Sequence, residues 1–144
     1  MKISIPDPAL KRLDKLVGTW DLKGRTLDSH EDNIFGWSTL AGGFFLQSVC
    51  EITFQGFKIQ SVEMISYDPS NDSFSSSVYT DFSGEVSHYH WDVRGDEVTH
   101  WTDSDQYTGV FSPDGKILTG GWRPIEGKTN PEDVSYDAVM VRIK

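Results

Sequence analysis

The 144 residues carry 13 basic and 22 acidic side chains, a formal net charge of −9, and this length fits one domain over residues 1–144 with a single core. Because an acidic chain repels phosphate groups, the charge argues against nucleic acids and membranes as partners. The single cysteine, Cys50, excludes an internal disulfide framework, and without a signal-like or membrane-spanning apolar stretch we expect a cytoplasmic protein.

A short helix over residues 8–16 is the first predicted element. Asp7 can cap its amino end, Pro8 suits its first turn, and leucines recur at every third position as far as Leu16. Gly18 ends the helical pattern.

After the helix, turn signals recur roughly every 8–12 residues, with no further helical pattern between them. Closely spaced hairpins of this kind predict an all-β fold, an antiparallel up-and-down barrel of about 8–10 strands. The turn signals are Gln55-Gly56, Asp68-Pro69-Ser70-Asn71-Asp72, Ser83-Gly84, Gly95-Asp96 and Pro113-Asp114-Gly115.

The hairpin around Gln55-Gly56 can be registered because side chains alternate between the two faces of a strand. A two-residue turn pairs Phe54 with Phe57, and the same face then carries Leu46 opposite Ile65. We expect this face to be buried, since its ends are apolar. Between those ends it carries a polar patch of Ser48, Cys50, Ser61 and Glu63.

The same reasoning, applied to the next two hairpins, places Tyr89 and Trp91 on an apolar face. It sets Trp91 opposite His100 and predicts Gly109 as the neighbour of His100 on the following strand, which would leave room beside the imidazole. Two further histidines fall on the opposite, outward face, where we expect solvated side chains and no metal site: His88 and His90.

The run Leu16-Val17-Gly18-Thr19-Trp20, directly after a short helix, resembles the opening of lipocalin-like (calycin) barrels, in which a Gly-x-Trp plugs the closed end. Four further segments of the chain also resemble a bacterial domain-of-unknown-function family with this kind of barrel. The resemblance implies the fold over nearly the whole chain and supplies no activity. The further matches are residues 40–46, Ile65-Ser66-Tyr67-Asp68-Pro69, Asp81-Phe82-Ser83-Gly84 and Gly120-Gly121-Trp122-Arg123-Pro124.

Nitrobindin-type haem barrels are a more distant likeness. They also begin with Gly-x-Trp, but continue with alternating glycines and a Tyr-Pro. Residues 21–26 of this chain lack that continuation, which argues against haem.

Glu63 and His100 are the two strongest candidates for a chemical role. A carboxylate on an apolar face either has a raised pKa, as a general acid or base does, or is a structural group bonded to Ser48 or to an inward arginine. His100 is a candidate base, haem ligand or hydrogen-bond donor to a ligand, and its alternative is a core histidine packed against aromatic rings. Cys50 is expected to be a small buried hydrophobe.

Tryptophans at strand positions on the apolar face complete the candidate lining. They either form the wall of a cavity or pack in the core. The orientation of Arg123 is open, because the turn before it allows two registers; facing inward, it would pair with Glu63 or hold a ligand carboxylate. The predicted ligand-binding residues are Trp20, Trp37, Ser48, Ser61, Glu63, Tyr89, Trp91, His100, Tyr107 and Arg123.

These residues predict a binding protein for a small apolar or amphipathic ligand held in the barrel, with no cofactor. One alternative is a cofactor-independent isomerase, cyclase or hydrolase with Glu63 or His100 as general base. The other is a haem barrel with His100 as axial ligand. The sequence defines neither the ligand nor the oligomeric state.

Overall fold

A computed structural model describes residues 4–26, 31–41, 43–54, 56–128 and 135–144, with the backbone alone at residues 25–26, 31–35, 37–41 and 54. It contains one short 3₁₀ helix followed by strands. The helix spans Pro8–Leu16, and the strands are β1 (Gly18–Thr26), β2 (Glu31–Ala41), β3 (Phe45–Phe54), β4 (Phe57–Asp68), β5 (Ser73–Thr80), β6 (Val86–Arg94), β7 (Glu97–Trp101), β8 (Asp105–Phe111), β9 (Ile117–Pro124) and β10 (Tyr136–Arg142).

The ten strands of the described chain form a closed antiparallel barrel. Each strand pairs with its neighbours in sequence, and β1 closes the barrel by pairing with β10. Closure satisfies the backbone groups that the edge strands would otherwise expose. The predicted all-β, up-and-down barrel with a short helix before it is confirmed.

The register of β3 and β4 matches the prediction, with Leu46 opposite Ile65 and Ser48 opposite Glu63. Between β5 and β6 the connection spans residues 81–85 instead of two residues, and Phe74 pairs with Trp91. A two-residue turn at Ser83-Gly84 would have given a different pairing of β5 with β6. The longer connection shifts the observed pairing by two residues from that one. Because two is the side-chain period of a strand, the predicted inward face is retained.

The helix closes one end of the barrel. Side chains three residues apart eclipse one another in a 3₁₀ helix, so Leu10, Leu13 and Leu16 form one apolar edge, and all three are buried. The predicted cap is present, since the Asp7 carboxylate accepts a hydrogen bond of 2.9 Å from the backbone of Ala9.

Ion pairs fasten the helix to the turns at this end. Arg12 Nη1 lies 3.0 Å from Asp72 Oδ1 in the β4–β5 turn, and Lys15 Nζ lies 2.7 Å from Asp96 Oδ1 in the β6–β7 turn. Trp20 lies beneath the helix and donates a hydrogen bond of 3.0 Å from Nε1 to the carbonyl of Leu16. The Gly-x-Trp tryptophan therefore lies at the closed end.

Inward-facing side chains become more exposed with distance from the helix. Near it, Phe74, Val93 and Ile65 are at most 1% exposed. Two residues farther along the same inner faces, Glu63 and Trp91 are partly exposed. The described part of the barrel is therefore a cup with an apolar floor and an accessible polar layer above it. None of the described helices is long and apolar enough to cross a membrane.

Candidate functional site

Glu63 is the centre of the polar layer inside the barrel. Its Oε2 accepts hydrogen bonds from Ser76 Oγ at 2.5 Å and from Trp91 Nε1 at 2.8 Å. Ser48, the hydrogen-bond partner expected from the sequence, lies opposite Glu63, but its Oγ is instead 3.7 Å from Cys50 Sγ. The carboxylate is thus held by β5 and β6 rather than by its own hairpin.

Ser76 was not among the predicted site residues. It pairs with Ile65 of β4, so it reaches Glu63 diagonally across the two strands. The long turn between β4 and β5 sets this register, and extending the alternation through that turn would have placed Ser76 on the same inner face as Glu63.

His100 lies against Glu63 within a group of aromatic rings. Its Nε2 is 3.7 Å from Glu63 Oε2, too far for a hydrogen bond, and is a buried nitrogen without a hydrogen-bond partner among the described residues. The ring stacks on Trp91 with a centroid distance of 3.6 Å. Tyr89 and Trp122 approach it to 4.8 and 5.0 Å.

The predicted pairing of His100 with Gly109 is wrong. His100 pairs with Tyr107, and Gly109 pairs with Val98. The turn between β7 and β8 sets this register, since the backbone of Thr102 donates to the carbonyl of Asp105 at 2.9 Å. The pairing with Trp91 on the other side of His100 is confirmed.

Burial shifts the ionisation of both central groups toward their neutral forms. It raises the pKa of Glu63, an effect that the hydrogen bonds from Ser76 and Trp91 oppose. It lowers the pKa of His100 well below its usual value. At neutral pH the imidazole is therefore uncharged, and its free Nε2 is either a donor or an acceptor according to its tautomer.

Tyr107 contributes a second buried polar atom. Its side chain is 6% exposed, and its hydroxyl lacks a hydrogen-bond partner among the described residues. The phenol lies over Gly109, where a Cβ would be 2.5 Å from the hydroxyl oxygen. Only glycine leaves room for the ring in this position.

Gly109 belongs to a row of small residues across four neighbouring strands. In register, Gly109 pairs with Gly120, Gly120 with Ala138, and Ala138 with Gly24. Larger aromatic side chains cover this row from above, Tyr107 at one end and the Tyr136 ring, 3.6 Å from a Cβ on Gly24, at the other.

Arg123 lies on the outer wall, so the inward alternative considered from the sequence is wrong. Its Nη2 is 2.5 Å from Asp137 Oδ1, and the side chain is 48% exposed. The β8–β9 turn pairs Phe111 with Leu118, which turns the even-numbered residues of β9 inward. Trp122, absent from the predicted set, is therefore the inward residue, and the alternation Leu118, Gly120, Trp122 is the sequence signal for it.

The other predicted residues have different positions. Ser61 is buried opposite Cys50, whereas Trp20 lies at the closed end, away from Glu63. The backbone of Trp37 pairs with Thr19 and Val49, but its side chain lies outside the described residues.

The outward histidines lie where they were predicted. His88 Nδ1 lies 3.2 Å from Ser77 Oγ, and His90 stacks on Trp101 at 5.5 Å. The described chain contains no group of three or more His, Cys, Asp or Glu side chains arranged to hold a metal ion.

A cavity of about 70 Å³ separates the floor of the cup from the polar layer. This is enough for a few water-sized groups and far less than a drug-sized ligand occupies. A wider groove of about 830 Å³ lies on the outer wall, where the charged side chains of Arg123 and Asp137 already pair. The cavity is lined by Leu16, Trp20, Gly36, Leu46, Ser48, Cys50, Ile65, Trp91 and Met140.

A family model described as "Protein of unknown function (DUF1579)" matches residues 6–116. No protein with a curated description matches the chain. The predicted likeness to a domain-of-unknown-function family of β-barrels is confirmed.

Solved structures of similar fold include Rv2717c from M. tuberculosis, with 16% identity, a TM-score of 0.62, and coverage of 97% of this chain and 100% of that one. A de novo designed fluorescence-activating β-barrel has 10% identity, a TM-score of 0.51 and coverage of 90% and 94%. A redesigned β-barrel has 10% identity, a TM-score of 0.53 and coverage of 99% and 100%. At these identities the likeness concerns the fold alone.

Proposed function

The chain belongs to the DUF1579 family, and from the geometry of its lumen we propose that it binds a small apolar or amphipathic molecule inside the barrel. One observation carries the proposal: the side chains of Glu63 and His100 point inward yet each stays 13% exposed, above an apolar floor. Ligand sites are mostly apolar surfaces with a few convergent polar groups, which is the composition of this layer. A barrel described as fluorescence-activating shares the fold, which is compatible with this proposal.

The experiment is a titration with N-phenyl-1-naphthylamine, a neutral apolar probe, monitored by probe emission and by tryptophan quenching. Val78 lies opposite Glu63 on the inner wall, so Val78→Phe should obstruct the lumen and weaken binding. Val86, 46% exposed on the outer wall, provides the control Val86→Phe, which should bind as the wild type does. Equal weakening by both variants, or a flat wild-type titration, would contradict binding in the lumen.

A second candidate is a cofactor-independent enzyme in which Glu63 or His100 acts as general base. The 3.7 Å between Glu63 Oε2 and His100 Nε2 favours it, because one reacting atom can contact both groups. Release of p-nitrophenol from p-nitrophenyl acetate tests the hydrolase form of this idea. Turnover should fall in Glu63→Gln and His100→Gln and persist in His88→Gln on the outer wall; identical rates in all four proteins would eliminate it.

Haem fits this arrangement poorly. A carboxylate oxygen lies 3.7 Å from His100 Nε2 and Trp91 stacks on the imidazole at 3.6 Å, so the ring is crowded on the side where it would hold a metal and on its face. A cytoplasmic location stays a prediction.

A further inference from the structure

We propose that the lumen selects ligands that carry a positive charge on an aromatic or apolar body, such as arylalkyl ammonium ions, and rejects organic anions. This inference rests on the proposed binding function and specifies its ligand class. It follows from which charged groups face the lumen, from the rings around them and from the polar atoms left without partners.

Among the described side chains, two acids face the lumen. Glu63 lies in the polar layer, and Asp105 starts β8 on the same inner face as Tyr107, closer to the end of the barrel that lies opposite the helix. Both acids lie close enough to Tyr89 to affect its ionisation: burial raises the pKa of Tyr89, and the charges of Glu63 and Asp105 raise it further. A cation entering from that end would meet an acidic side chain at each depth, and pairing with Glu63 would favour the ionised form of that carboxyl, which burial alone disfavours.

The described basic side chains lie outside the lumen. Arg123 pairs with Asp137 on the outer wall, and the Arg142 guanidinium lies over Trp20 at 4.3 Å and donates to the carbonyl of Val17 at the closed end. The remaining described lysines are exposed. Among the described side chains a bound carboxylate would find no cationic partner in the lumen, and burying an unpaired charge is costly. The basic residues paired with aspartates at the closed end are Arg12, Lys15 and Arg94.

Aromatic rings surround His100 beside Glu63. Trp91, Tyr89 and Trp122 lie 3.6, 4.8 and 5.0 Å from the His100 ring, centroid to centroid. The faces of such rings carry negative partial charge and attract ammonium groups. His100 does not oppose a cation, because burial keeps its imidazole neutral.

Unpartnered polar atoms mark where the charged group would bind. His100 Nε2 and the Tyr107 hydroxyl are both buried without hydrogen-bond partners among the described residues. Because His100 Nε2 lies 3.7 Å from Glu63 Oε2, one ammonium group that approaches both atoms from the same side can donate to each. The rings of Tyr107 and His100 both approach Trp122, so the apolar body of such a ligand would lie along that indole.

The experiment uses three probes of similar size: phenethylamine as the cation, 2-phenylethanol as the neutral compound and phenylacetate as the anion. Calorimetric titrations at neutral pH and about 150 mM salt limit attraction by the distant surface charges. The expected order of affinity is phenethylamine, then 2-phenylethanol, then phenylacetate. Glu63→Gln should weaken phenethylamine by about tenfold, the size of a lost charge-assisted hydrogen bond, and leave 2-phenylethanol nearly unchanged.

Glu51→Gln is the matched control, because Glu51 is exposed on the outer wall of the adjacent strand and its loss changes net charge equally. Equal effects of the two variants on phenethylamine, or binding of phenylacetate as tight as that of phenethylamine, would overturn the charge preference while leaving binding in the lumen intact. Flat titrations with all three probes would instead overturn the binding function itself. The wild-type ranking tests the preference even if Glu63→Gln folds poorly.

Discussion

Removing the buried hydroxyl of Tyr107 should stabilise the protein. The ring is 6% exposed, lies over Gly109, and has no hydrogen-bond partner for its hydroxyl among the described residues. Leaving a buried hydroxyl unsatisfied costs about 1–3 kcal/mol, and Phe keeps the shape of the ring. Tyr107→Phe should therefore raise the free energy of unfolding by about 1 kcal/mol, which is roughly 4 °C in Tm for a chain of this size.

Tyr67→Phe is the matched comparison, because the Tyr67 hydroxyl donates a hydrogen bond of 2.9 Å to Asp72. The same chemical change there should lower stability slightly. Urea unfolding followed by tryptophan fluorescence, with Tm from calorimetry, measures both variants. A loss of stability in Tyr107→Phe comparable to that in Tyr67→Phe would refute the reasoning, since it would mean that the Tyr107 hydroxyl has a partner.

Three further predictions concern packing and pH. Gly109→Ala should destabilise the fold by about 1–3 kcal/mol in urea unfolding, because its Cβ would meet the Tyr107 ring at 2.8 Å; an unchanged midpoint would show that the ring moves aside. Burial raises the pKa of Glu63 in the folded state. The free-energy cost of ionising this buried carboxyl is therefore absent below the unfolded pKa of about 4.5 and grows as pH rises toward the folded pKa. Glu63→Gln should therefore gain stability relative to the wild type over that window, and parallel pH profiles of the two proteins would contradict this. Arg12 and other donors lower the pKa of Asp72 to about 2, so its contribution is present above the unfolded pKa and is lost as pH falls through about 2. Asp72→Asn should lower Tm at neutral pH and converge with the wild type in strong acid; a difference that persists there would point to packing instead of charge.

The local pattern was enough to predict the first layer of the candidate site. The inward faces of β3, β4 and β6 were predicted correctly because a strand alternates with a period of two, whatever its neighbours are. Even the longer β5–β6 connection preserved the face, since it changed the pairing by an even number of residues. Glu63 and His100 therefore lie on the inner wall, as expected.

Partners across strands were not predictable in the same way. The hydrogen bond from Ser76 to Glu63 and the pairing of His100 with Tyr107 depend on how far neighbouring strands slide past each other. That offset is set by connection conformations and by closure of the whole barrel, which no single strand encodes. The same dependence left Arg123 undecided until its ion pair with Asp137 placed it outside.

The amino-acid sequence by itself determined the helix, the strand-rich fold and the side of each early strand on which its polar residues lie, because these depend on contacts a few residues apart. Tertiary structure decided the rest: that the helix forms a floor, that Trp122 joins the wall, and that Glu63, Ser76 and His100 form one cluster. The physical reason is that these contacts join residues that are far apart in the chain, and only closure of the barrel fixes the distances between them.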